Sequence, residues 1–206
     1  VYIFAGFLDS GKTSFINDTL MNPDFYSEED TLLISFEEGE VAYNDIYLKK
    51  SNTSLVTLDF ENFTTYDLKH LELEYRPTQI MIEANGMMDL NIFVKETIPE
   101  NWKVVQVLTT FDTTTFSMYL NNMRSLVYSQ VVFSDLVIFN ECEGKVAVFE
   151  AKYSKEVKNL EEDCEKAIQQ IDHRMYAKEF EDSYDEVICY GISFYKKRCV
   201  VKRDVK

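Results

Sequence analysis

Two groups of residues have types and spacings suited to phosphate chemistry. The first is Gly6-Phe-Leu-Asp-Ser-Gly11-Lys12-Thr13, which fits G-x-x-x-x-G-K-[ST] at every fixed position. Gly6 and Gly11 let the backbone turn tightly, so that successive N–H groups face an anion. Lys12 would reach the β- and γ-phosphates of a nucleotide, and the Thr13 hydroxyl would ligate Mg²⁺. Asp9, Ser10 and Ser14 complete the candidate nucleotide-binding set around this loop. The second group is Asp135, Glu150 and Lys152, ordered as D…E-x-K. Residues two apart on a strand share a face, so Glu150 and Lys152 would project together. Two carboxylates and a lysine suit metal-assisted phosphodiester cleavage, although a surface ion-pair ladder is the commoner meaning of so short a pattern.

Further residues qualify the first group. Glu83 and Gly86 follow the apolar run Gln79-Ile-Met-Ile, and the carboxyl end of a strand is where α/β sheets place ligands. Glu83 would join Lys12 in catalysis and Thr13 at the magnesium, and the Gly86 N–H would meet the γ-phosphate. The acidic loop Glu37-Glu38-Gly39-Glu40 resembles a switch, with Glu38 a further candidate metal ligand. Its plain alternative is a solvated acidic loop.

These residues require elements to position them. Val1–Ala5 is short, apolar and continuous, as a central parallel strand should be. A helix is expected over about 13–20, strands over 31–36, 54–60 and 79–83, a helix over 65–75, a strand within 102–110, a helix over 115–130 and a strand over 136–139. Alternating strands and helices predict a parallel, doubly wound α/β sheet. Beyond Glu141 the pattern changes to a strand at 145–152, one long helix at 156–181 and a hairpin of 186–194 with 198–202. The stripe Val157, Leu160, Cys164, Ile168, Ile171 and Met175 marks the helix.

Composition sets bounds. The 206 residues are 46% hydrophobic, with 15 Phe and 13 Tyr, enough for a real core. The formal charge of -15 gives a surface that repels polyanions, which argues against broad nucleic-acid binding. Cys142, Cys164, Cys189 and Cys199 form no CxxC and do not cluster with His70 or His173, so a zinc site lacks support. They read as reduced core residues, with Cys189 and Cys199 able to face each other across the hairpin. No apolar run approaches membrane-spanning length. Val1 stands where an initiator Met would, which suggests a start inside a longer parent. A cytoplasmic location is expected.

GFLDSGKTSF, LLISFEEGEVAYND, IMIEANGMMD, VLTTFD and DLVIFN resemble, in order, the landmarks of CobW-type P-loop GTPases over about 1–140. That resemblance implies GTP and Mg²⁺ as cofactors, slow hydrolysis, a metal-receiving client protein as partner, and Asn140 at the nucleotide. Ser51-Asn-Thr-Ser-Leu-Val lacks the family's cysteine metal motif, and Asn140-Glu-Cys-Glu143 replaces its NKxD. Weak discrimination between GTP and ATP follows. KVAVFEAKYS, CEKAIQQIDHRMYAKEF and EVICYGISFYKKRCVV resemble the C-terminal half of PD-(D/E)XK nuclease-like domains over about 134–202, which adds Gln170 and Tyr176 beside the E-x-K strand. Both resemblances claim Ser134–Asn140. The simplest account is a chimera, or two segments joined across missing residues, with domains at 1–140 and 141–206. The leading expectation is Mg²⁺-dependent GTP binding and hydrolysis. The alternatives are a metal-dependent nuclease-like domain and a binding-only chimera.

Overall fold

The computed structural model describes residues 1–22, 30–142, 145–174, 178–181, 184–195 and 198–205. Within them lies one nine-stranded sheet, flanked by helices, in the order β3-β2-β4-β1-β5-β6-β7-β8-β9. Its strands are β1 (Tyr2–Gly6), β2 (Thr31–Ser35), β3 (Thr53–Thr57), β4 (Gln79–Glu83), β5 (Gln106–Asp112), β6 (Leu136–Cys142), β7 (Lys145–Tyr153), β8 (Glu186–Tyr195) and β9 (Arg198–Val205). The first six run parallel. The β6–β7 and β8–β9 pairs are antiparallel, and β7 pairs parallel with β8. The expected α/β class holds. The sheet does not break at residue 140, which lies inside β6.

The central strands are apolar on both faces because helices cover both. On one face Ile3, Leu32, Ile34, Ile82 and Val107 pack with Leu68 and Leu71 of α3 (Thr65–Tyr75). On the other, Phe4, Leu33, Met81, Leu136, Val146 and Val148 form one cluster. It takes in Ile16 and Leu20 of α1 (Lys12–Met21), Leu48 of α2 (Asp45–Lys50) and Ile171 of α7 (Leu160–His173). The core therefore runs without interruption from the first half of the chain into the second.

Local chemistry explains several departures from expectation. The α2 helix, unforeseen in the sequence, starts where Asn44 accepts from the Ile46 and Tyr47 N–H groups. Two short helical segments, α4 (Leu90–Ile92) and a π turn over Phe93–Thr97, follow Asp89 in the same way. The single helix expected over 115–130 is two, α5 (Thr113–Asn122) and α6 (Arg124–Phe133), broken at Met123 with φ -133° and ψ 40°. Asp112 fixes the start of α5 by accepting from the Thr114 N–H at 2.7 Å. The long helix expected over 156–181 is a 3₁₀ turn at Val157–Asn159, then α7, then α8 (Lys178–Glu181). Met175 and Tyr176 lie outside the described residues. Cys189 pairs with Asp204 and Cys199 with Phe194, so the two cysteines do not face each other across the hairpin. Among the described residues no helix is long and apolar enough to cross a membrane.

Candidate active site

The glycine-rich segment lies between β1 and α1, against the carboxyl ends of the parallel strands. Gly6 has φ 137° and a Cβ there would sit 2.3 Å from the Thr110 carbonyl oxygen, so only glycine fits. The Ser10 hydroxyl bonds Thr110 Oγ1 at 2.7 Å, and Asp9 Oδ1 accepts from the Glu40 N–H at 3.3 Å. Lys12 is 2% exposed and folds back over the loop. It donates to the Gly6 and Phe7 carbonyls at 2.9 and 2.8 Å and pairs with the Glu37 carboxylate.

Register brings Glu83 to the loop. Phe4 pairs with Glu83 and Ser35 pairs with Glu83, so its side chain emerges between β1 and β2. Glu83 is fully buried and its carboxylate accepts from Thr13 Oγ1 at 2.6 Å, Ser35 Oγ at 2.7 Å and Tyr43 OH at 2.5 Å. Burial and the Glu83 charge hold the Tyr43 phenol well above its usual range. The Gly86 N–H donates to Glu37 Oε2 at 3.0 Å. A Cβ on Gly86 would lie 2.8 Å from Phe7 Cα, so this glycine permits the close approach of two backbones. Asn140, at the end of β6, lines the same cavity with Asp9, Gly11, Lys12, Thr13, Ser14 and Glu37. The expected loop residues therefore converge. Glu38 lines instead a neighbouring depression with Thr57, Asp59 and Asn85, which Glu37 also borders, and the acidic residues of the loop cavity are Asp9, Glu37 and Glu40.

The second site sits on β7 under α7. Glu150 is 2% exposed, and its Oε2 is buried without a hydrogen-bond partner. Lys152 Nζ lies 3.5 Å from Glu150 Oε1 and donates to Gln170 Oε1 of α7. Burial pushes the Glu150 carboxyl up to about 7. The charges of Lys152 and Arg174 oppose that rise, and the negative charge of Asp135 adds to it. The two carboxylates thus sense each other. Asp135, just ahead of β6, is exposed and shares a groove with Lys152, but its Oδ2 also accepts from the Val107 N–H at 2.9 Å. Among the described residues no three His, Cys, Asp or Glu side chains surround a common point. Glu150 is the acidic group here with an unpartnered oxygen.

A family model described as PD-(D/E)XK nuclease superfamily matches residues 100–204, half of the chain. The chain belongs to the PD-(D/E)XK nuclease superfamily. No curated protein matches it. The family match leaves residues 1–99 uncovered and the comparisons give the CobW-type resemblance no support, so a nucleotide reading of that region rests on loop geometry. Superfamily domains generally use Mg²⁺. Glu150 offers such an ion an unpartnered buried oxygen, and the Asp135 charge acts on that carboxyl.

Sequence reasoning located Asp135, Glu150, Lys152 and Gln170 in this superfamily segment. It missed Arg174, whose charge acts on Glu150, and Tyr184, whose hydroxyl donates to Asn140 Oδ1. It also missed Ser35 and Tyr43 as partners of Glu83. The period-2 alternation of β2 puts Ser35 and Leu33 on one face, which was a usable signal for Ser35. Nothing local in the sequence ties Tyr184 to residue 140.

Proposed function

We propose that this protein is a metal-dependent phosphodiester-cleaving enzyme acting at Asp135, Glu150, Lys152 and Gln170. The observation that carries the reading is the buried, unpartnered Glu150 oxygen within reach of a lysine held by Gln170. Glu150 and Asp135 would hold Mg²⁺, which when bound supplies a Lewis acid and lowers the pKa of a water. Lys152 holds positive charge beside the phosphate and orients the attacking water. Gln170 fixes the lysine by accepting a hydrogen bond from one of its N–H groups, leaving two N–H groups for other partners. The net charge of -15 favours a confined contact over broad electrostatic capture of a polyanion. Cleavage assays on single- and double-stranded DNA and RNA with Mg²⁺ or Mn²⁺ test this. Cleavage that persists unchanged in Glu150→Gln and Lys152→Ala would refute it.

The loop cavity supports a second reading, nucleoside-triphosphate binding. Four features favour it: a left-handed Gly6–Gly11 turn, a buried Lys12, Thr13 bonded to Glu83, and an inward Gly86 N–H. GTP with Mg²⁺ is the ligand suggested by the family resemblance, with Thr13 and Glu83 at the ion. Lys12→Ala should abolish triphosphate binding, since it removes a charge-assisted contact to phosphate. Equal affinity in mutant and parent would end the reading. Both sites can serve one chain, because they occupy different ends of the sheet.

A further inference from the structure

A second cavity opens beside the glycine-rich loop. It shares Gly11, Ser14 and Asn140 with the loop cavity, and continues past them to Phe15, Phe180 and Tyr184. Gly11 has φ 97°, and a Cβ there would lie 2.6 Å from Asn140 Nδ2, so the Asn140 amide rests directly on the loop. Tyr184, just ahead of β8, holds that amide by donating its hydroxyl to Oδ1. Phe180 lies 6.1 Å from Phe15 and 6.1 Å from Tyr184, tilted at 34° to the first and edge-on at 64° to the second. The cavity's rim includes the Asp18 carboxylate.

The chemistry changes along this path. The loop cavity is lined by Lys12, Thr13 and Glu37, groups suited to phosphate and its counter-ion. The adjoining cavity adds the rings of Phe15, Phe180 and Tyr184, groups suited to a flat heterocycle. The two cavities meet at Gly11, Ser14 and Asn140, so a ligand whose phosphates sat on the loop would have these rings beside it. Aromatic faces hold a base by stacking, with little dependence on which base it is. A carboxylate at the rim accepts from an exocyclic amine or ring N–H.

We propose that this cavity is the base subsite for a nucleoside triphosphate, with Phe180 and Tyr184 of the superfamily segment as its stacking wall. The proposal rests on the nucleotide reading of the loop. Residues from both halves of the chain then build one ligand site. Asn140 positions the wall against the loop, and Phe15 supports it from α1.

The test compares Mg²⁺-tripolyphosphate with Mg²⁺-ATP and Mg²⁺-GTP by calorimetric titration. The variants are Tyr184→Leu and Phe180→Leu, alone and together, which keep apolar volume but remove the ring faces. In the parent, both nucleotides should bind at least tenfold more tightly than tripolyphosphate. In the double variant the three ligands should approach equal affinity, while tripolyphosphate binding stays at its parental value and remains sensitive to Lys12→Ala. That sensitivity also shows that the variant is folded. A nucleotide preference that survives in the double variant overturns the subsite and leaves the loop reading standing. Tripolyphosphate binding that is absent, or indifferent to Lys12→Ala in the parent, overturns the loop reading and the subsite with it.

Discussion

Glu150→Gln isolates the cost of holding a carboxylate under α7. In the fold this group keeps its proton up to about pH 7, against 4.5 for a free glutamate. Below pH 4.5 both states are protonated and the group is neutral to stability. Between 4.5 and 7 the unfolded chain ionises while the fold stays protonated, so stability falls as pH rises. At 1.36 kcal/mol per tenfold change, the full penalty is roughly 3 kcal/mol above pH 7, of which about 1 kcal/mol is already present at pH 5.5. Gln keeps the shape and carries no charge. In urea unfolding with chelator present, the parent should therefore lose about 2 kcal/mol relative to Glu150→Gln between pH 5.5 and 8.5. The opposing charge of the lysine 3.5 Å away is already contained in that raised value. Parallel stability profiles for parent and variant would show that Glu150 is solvated or fully paired, and the argument for an ion-ready oxygen would collapse.

Mg²⁺ should stabilise the parent more at pH 8 than at pH 6, because the ion must displace the Glu150 proton at the lower pH; a pH-independent thermal shift would count against that site. Glu37→Gln should strengthen tripolyphosphate binding several-fold by removing the carboxylate that already pairs with Lys12, and calorimetry reads this directly. Gly86→Ala places a methyl 2.8 Å from Phe7 Cα and should cost about 1–3 kcal/mol in chemical denaturation, whereas Gly39→Ala, 3.0 Å from the end of the Asp9 side chain, should cost less. Leu33→Ala, at a fully buried position of β2, should cost about 2–5 kcal/mol by the same measurement.

The parallel half of the sheet was legible because its strands are short apolar runs between turn signals. β1, β2 and β4 fall where the sequence puts them. The convergence of the loop residues was legible because glycines at 6 and 11 beside a Lys-Thr pair mark a tight turn between a strand and a helix. The E-x-K pair was legible from spacing, since strand periodicity alone puts 150 and 152 on one face. Three things were hidden. Helix breaks at Met123 and after His173 depend on local caps and packing that periodicity cannot weigh. The choice of Glu37 over Glu38 depends on where the chain turns after Phe36, a matter of one residue's direction. The Tyr184–Asn140 contact spans 44 residues, and only the tertiary fold sets it.

β6 carries Asp135 just before its first residue and Asn140 near its last. Five residues at a rise of about 3.3 Å put the two ends roughly 17 Å apart along one strut. Such a strut does not stretch, and it is clamped by β5 on one side and β7 on the other. Sliding it by a single residue would turn Leu136 and Ile138 out of the core, so it has no small increments of travel. A ligand at either end therefore cannot pull on the other by degrees. What the ends share is a common fate: the strand is either in place for both or lost to both. An occupant at one end protects the architecture of the other against melting, and the molecule should unfold in a single step whose temperature rises with either ligand.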